Sequence, residues 1–252
     1  MNPLKVTVFL AILASNYTFA QQPSKSIRLE YLGYAALAAN SFKTIDTKNT
    51  VTVSKGVSES YQSTLDVNRP QGDTLVRYFK SNRSSVIYKD RQNNTLYFEN
   101  GSKLVKSTKK IFSDSLNSFN WVITNATKNV GDFECVKALC IWRGRAYAAW
   151  FTETIPLAEG PWKFGGLPGL IVELYDEEKT IYWKLETMTE VAYQNFSLPK
   201  AEGTFLEFKK MYKDAAQRLV AANEAQEEID PNCTSCNKSI RIKIETIENL
   251  TD

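Results

Sequence analysis

The chain has 252 residues, a formal net charge of +3, and 43% hydrophobic residues, with 12% aromatic. It contains no histidine, which removes histidine-dependent triads, HExxH zinc sites, His-ligated haem and imidazole acid–base chemistry together. Charge this near neutral also argues against a nucleic-acid partner or an anionic membrane surface. Carboxylate, lysine and tyrosine chemistry survive, but no EF-hand-like acidic loop is present and no cofactor is expected.

The first twenty residues read as a signal peptide. Lys5 supplies a basic start, Val6 to Ala14 an apolar core, and Thr18-Phe19-Ala20 a small-residue cleavage site. The apolar run is shorter than the roughly 20 residues a membrane span needs, and no cysteine follows it as a lipid anchor. The expected product, residues 21–252, is a single exported domain, periplasmic or associated with the outer membrane.

Ser26–Tyr31 alternates apolar and polar residues and opens the domain as a strand. The Ala-rich patch Tyr34–Ala39 fits a helical turn or a strand, and Thr50–Ser54 is a strand. Residues 58–84, rich in Ser, Asn, Asp, Gly and Pro, read as a long loop or insertion. Short strands follow at Ser85–Lys89, Thr95–Glu99 and Lys103–Lys106, with a hairpin signal at Asn100-Gly101. Phe133 to Thr152 forms a strand pair turning at Arg143-Gly144-Arg145. Leu170–Tyr175 and Thr180–Glu186 form a second hairpin around Asp176–Lys179.

Residues 204–224 break the β pattern. Phe205, Phe208, Tyr212, Ala215, Leu219 and Ala222 recur at helical spacing, and Thr204 with Glu207 makes a capping box. The mixed charges of the polar face favour packing on the sheet over lying on a membrane. Ser239–Ile247 alternates strictly and reads as a last strand. The fold class expected is mainly β: one large curved antiparallel sheet, a bowl or half-barrel, with a helix at about 204–224.

The chain is organised around Gly165-Gly166-Leu167-Pro168-Gly169-Leu170-Ile171 and its approach Gly160-Pro161-Trp162-Lys163-Phe164. Pro168 before Gly169 suits a type II turn, with Gly169 at positive φ. The flanking Leu167, Leu170 and Ile171 are apolar, so the turn is expected to fold against the core. A phosphate-cradling loop would need a P-loop Lys-Ser/Thr or a GxGxxG pattern, and neither is present.

The run Gly166–Ile171 resembles the motif of the GLPGLI family of Bacteroidota proteins. Its context agrees: Cys135-Val-Lys-Ala138, Arg143-Gly-Arg145, Ala149-Trp150-Phe151, Ile155-Pro156 and Gly160–Gly165. The resemblance is strong over residues 119–175 and diffuse elsewhere. It implies an exported, mostly β protein near the outer membrane, often encoded beside TonB-dependent transport machinery. It also implies likeness to the bowl-shaped N-terminal domain of certain peptide N-glycosidases. The family has no agreed catalytic residues, so none is carried over.

The four cysteines are Cys135, Cys140, Cys233 and Cys236. On one extended strand Cys135 and Cys140 lie about 16 Å apart and face opposite ways, beyond the roughly 7 Å Cα limit for a bridge. The expected disulfide is Cys233–Cys236, with a cross-link from Cys135 or Cys140 as its rival; export favours disulfides over a Cys₄ zinc site. Of the aromatic residues near the motif most are expected in the core, with Tyr147, Trp150, Trp162 and Phe164 as candidates to line a cavity for an apolar, glycan or peptide ligand. Glu134, Glu153, Glu159, Glu173, Arg143, Arg145 and Lys163 read as solvated strand-face charges, no spacing marking a catalytic carboxylate pair. The function expected is a non-catalytic binding or accessory protein of the cell envelope serving an outer-membrane system. The alternative is a hydrolase or enzyme-accessory domain acting on glycans or peptides.

Overall fold

The structure is a computed structural model that describes residues 25–36, 44–64, 69–71, 74–76, 86–102 and 105–229. The signal-like start, Cys233, Cys236 and the alternating segment 239–247 lie outside the described residues. The elements in chain order are β1 (Ser26–Ala36), β2 (Thr44–Ser54), β3 (Val57–Thr64), β4 (Arg69–Gln71), β5 (Thr74–Val76), β6 (Val86–Asp90) and β7 (Thr95–Glu99). There follow β8 (Ile111–Ser115), β9 (Val122–Val130), β10 (Phe133–Trp142), β11 (Arg145–Thr152), β12 (Leu170–Asp176), β13 (Ile181–Val191), β14 (Gly203–Thr204) and α1 (Phe205–Ile229).

Twelve strands form one sheet in the order β14-β8-β7-β6-β3-β2-β1-β13-β12-β11-β10-β9, and β4 and β5 pair separately. Every neighbouring pair is antiparallel except β14 with β8. Chain connectivity forces this sheet to curl. A flat sheet would hold β8 and β9 about 48 Å apart, ten strand spacings. The chain from Ser115 to Val122 reaches at most about 24 Å. The two ends must therefore approach each other. They are tied by an ion pair between Asp114 on β8 and Arg143 at the β10–β11 turn, and by a 3.0 Å hydrogen bond from Trp142 Nε1 to Ser118 Oγ. The expected bowl follows.

One face of the sheet carries the core. Leu29, Tyr31, Val51, Tyr147, Phe151, Leu174 and Trp183 are buried beneath the segment joining β11 to β12. Ile87, Leu96, Phe98 and Phe112 are buried beneath Phe208 and Tyr212 of α1. Fully burying one such side chain contributes about 1.5–3 kcal/mol, so both coverings are held firmly. The capping box forms as the sequence requires, with Thr204 N donating to Glu207 Oε2 (3.1 Å) and Glu207 N to Thr204 Oγ1 (3.3 Å).

Two expectations are corrected. The supposed insertion at 58–84 begins with a full strand, β3, because Ser58 and Ser60 are both completely buried between β2 and β6. Small hydroxyl residues in an inner strand do not announce themselves as apolar ones would. The expected strand at Lys103–Lys106 is irregular where described. Val105 is buried outside any ladder, and the strand that pairs with β7 on the side away from β6 is β8.

Candidate functional site

Residues 153–169 leave β11, fold across the covered face and return as β12. Inside this loop Glu159 and Gly165 form an antiparallel bridge. Gly166 N donates to Ala158 O (3.1 Å) and Ile171 N to Glu159 O (2.9 Å). Two distant groups also grip the segment: Trp121 Nε1 donates to Gly165 O (3.0 Å) and the Tyr31 hydroxyl to Ile171 O (2.8 Å). Phe164, Leu167, Leu170 and Ile171 are all buried.

The glycines act differently from the sequence expectation. Gly166, not Gly169, takes positive φ, at 86°, so Leu167–Leu170 is not a type II turn. Gly169 is needed for space: a Cβ there would lie 2.1 Å from the Thr152 carbonyl oxygen. Trp162 is itself left-handed, at φ 52°, a conformation that costs an L-residue of this bulk roughly 1–2 kcal/mol. Buried Asn49 holds it, accepting a 2.8 Å hydrogen bond from Trp162 N while its amide donates to Ser60 Oγ and Tyr61 O.

Charge is built into this covered face. Glu159 and Lys89 are fully buried, and Lys89 Nζ donates to Glu159 Oε2 (3.1 Å), Gly160 O (3.0 Å) and Phe164 O (2.6 Å). Arg91 completes the carboxylate's shell at 2.6 Å and also donates to Ala158 O. Burial alone would raise the Glu159 carboxyl, but Lys89 and Arg91 reverse that and hold it below the usual range. Burial pulls the Lys89 ammonium below its ordinary value against the attraction of Glu159.

A second group joins the two ends of the sheet to the start of α1. Lys163 Nζ lies 4.2 Å from the ring centre of Phe98, 4.9 Å from that of Trp162 and 5.7 Å from that of Phe205. Arg143 stacks on Phe205 at 3.4 Å while paired with Asp114. Burial, reinforced by Arg143, pushes the Lys163 amine well below the ordinary lysine value. That shift is what an amine nucleophile needs. Here, however, the amine is enclosed by aromatic rings and its residue is only 3% exposed. Burial and the nearby Arg143 charge produce the shift, while the ring contacts give the side chain a packing role.

Glu159 and Lys163 are thus corrected from solvated charges to buried ones, and Lys89, Arg91 and Asn49 were not singled out by sequence. One signal existed. Lys89 shares strand phase with Ile87, so its side chain had to enter the core.

The four aromatic candidates separate. Tyr147 and Phe164 are buried in ring contact at 4.8 Å, with half-buried Trp162 5.8 Å from Phe164. Trp150 alternates with Tyr147 and faces the other side of the sheet, where Lys128 lies over its ring at 4.4 Å. Cys135 and Cys140 are both free thiols and both buried. They project from opposite faces of β10, and burial pushes the Cys140 thiol up to about 12.

The outer face is the accessible one. Leu139 is 40% exposed, Val122 65% and Ile141 78%, all beside β9, whose outer edge pairs with nothing among the described residues. A bulge between Val136 and Ala138 interrupts the β9–β10 register.

A family model described as "Protein of unknown function (Porph_ging)" matches residues 143–173. The matched segment is β11, the loop and the start of β12. No curated protein matches the chain. Among solved structures the chain is similar to PNGF-II in its P21 crystal form, at 13% identity and a TM-score of 0.49. The C2 form gives 13% and 0.47. The likeness covers 76% of this chain but 34% and 33% of the PNGF-II chains. The chain thus spans about a third of their length.

Proposed function

We propose that this chain is a non-catalytic, exported binding or accessory protein of the cell envelope, which acts by contact with a protein of an outer-membrane system. One observation carries this reading: large apolar side chains stand exposed on the outer face, next to a sheet edge left open among the described residues, where a monomeric protein normally places charge. The charged groups beneath the loop support it from the other side. Glu159, Lys89 and Arg91 are engaged with one another and with loop carbonyls, which is a structural use of charge. The signal-like start at residues 1–20 supports export.

The test is in-cell photocrosslinking from benzoylphenylalanine at Ile141, with Glu178 as a control position, followed by fractionation. An adduct with an envelope polypeptide, formed from position 141 alone in the extracytoplasmic fraction, is the expected result. A cytoplasmic chain, or equal adducts from both positions, would overturn the proposal.

A further inference from the structure

Strand register places six residues in one row across the outer face: Tyr34, Tyr182, Tyr175, Ala148, Leu139 and Val122, on β1, β13, β12, β11, β10 and β9. The three tyrosines are half-buried, Ala148 is buried, and Leu139 and Val122 are exposed. Buried Ala148 thus parts the half-buried tyrosines on one side from exposed Leu139, Val122 and neighbouring Ile141 on the other. The next row carries the charge: Lys137, Trp150, Glu173 and Lys184 stand opposite one another across β10, β11, β12 and β13.

The balance of that charge is positive. The Glu173 carboxylate is committed to an ion pair with Lys128 and accepts a 3.0 Å hydrogen bond from the Tyr182 hydroxyl. Exposed Lys184 and half-buried Lys137 make no ion pair among the described residues. A saccharide fits this surface poorly, because it needs free aromatic faces to stack on. Tyr34 and Tyr182 stack on each other, 5.6 Å apart with planes 20° from parallel, and half of the band is aliphatic. Apolar side chains to cover Leu139, Val122 and Ile141 and carboxylates to meet Lys137 and Lys184 are what it complements.

We infer that the outer-face band docks a partner's polypeptide segment that carries apolar side chains and net negative charge. This inference rests on the binding-protein reading above and adds the chemistry of the partner. Lys137 and Lys184 set the orientation of the segment, and Leu139, Ile141 and Val122 supply the desolvated contact.

The experiment is selection of a phage-displayed random peptide library on the full chain, followed by affinity measurement of the enriched peptides. Two variants are compared, Leu139→Ser/Ile141→Ser and Lys137→Glu/Lys184→Glu, both at surface positions and both checked for unchanged circular dichroism. The selected peptides should combine aromatic or aliphatic residues with Asp and Glu. They should lose about tenfold or more in affinity for either variant, and bind more weakly as salt rises. Peptides without acidic bias, or wild-type affinity retained by either variant, would overturn the inference. So would capture of neutral saccharides in place of peptides. Any of these outcomes leaves the crosslink from Ile141 to decide the binding reading on its own.

Discussion

The two faces of this sheet treat polar and apolar groups in opposite ways. On the covered face, Lys89, Glu159 and Lys163 are buried, and backbone carbonyls of the Gly160–Gly165 segment are used to satisfy Lys89 and Trp121. On the outer face, Val122, Leu139 and Ile141 are left to solvent. A buried ion pair stabilises little in itself but is costly to break, so the first arrangement fixes one conformation of the loop. Exposed apolar area is a loss to the isolated chain and a gain on association. On the function proposed above, the family-matched loop is architecture and the opposite face is the recognition surface.

The largest effect should come from breaking the buried pair. Glu159→Ala leaves Lys89 without its counter-charge and should cost about 3–5 kcal/mol in urea unfolding. Lys89→Met combined with Glu159→Leu should recover most of that loss. Gly169→Ala drives a methyl into the Thr152 carbonyl and should cost about 1–3 kcal/mol, seen as a lower denaturation midpoint.

Stability should also follow pH with two signs. The Glu159 carboxyl is depressed, so its contribution is full at neutral pH and is lost as pH falls from its ordinary value of 4.5 through its folded one. Glu159→Gln should flatten that acid limb. Lys163 and Lys89 are depressed amines, whose burial cost is relieved as pH rises toward 10.5. Stability should therefore climb on the alkaline side, and Lys163→Met should reduce the climb. Above the ordinary tyrosine value of 10.0 the trend should reverse, because burial raises Tyr31 and Tyr147 in the folded chain.

Smaller effects complete the comparison. Thr204→Ala removes half of the capping box and should cost about 1 kcal/mol, read from thermal unfolding. Ile141→Ser, on the outer face, should change stability by no more than about 0.5 kcal/mol. A large loss there would mean that the band belongs to the core.

Much of the architecture was legible because alternation and turn chemistry agree with it. The β10–β11 turn falls at Arg143-Gly144, where the sequence placed it, and both residues take positive φ. Thr204 and Glu207 cap α1 where their spacing placed the helix start. What escaped was polar material used as core. Ser58 and Ser60 on β3 gave no apolar signal, and the Lys89–Glu159 pair joins residues 70 positions apart. The Gly166-Leu167-Pro168-Gly169 run showed its importance but not its mechanics, since only packing reveals that Thr152 forbids a side chain at Gly169. The outer band was hidden for the same reason. Its six residues come from six strands, and only the register aligns them.

The decisive measurement sets one selected peptide against the wild-type chain, Leu139→Ser/Ile141→Ser and Glu159→Gln, with affinity and thermal midpoint read on the same samples. Division of labour between the faces predicts that the outer-face variant loses binding at an unchanged midpoint. Glu159→Gln should lower the midpoint while its folded fraction binds as wild type does. The opposite pattern, with affinity lost in Glu159→Gln and kept in Leu139→Ser/Ile141→Ser, would contradict it and move recognition to the loop.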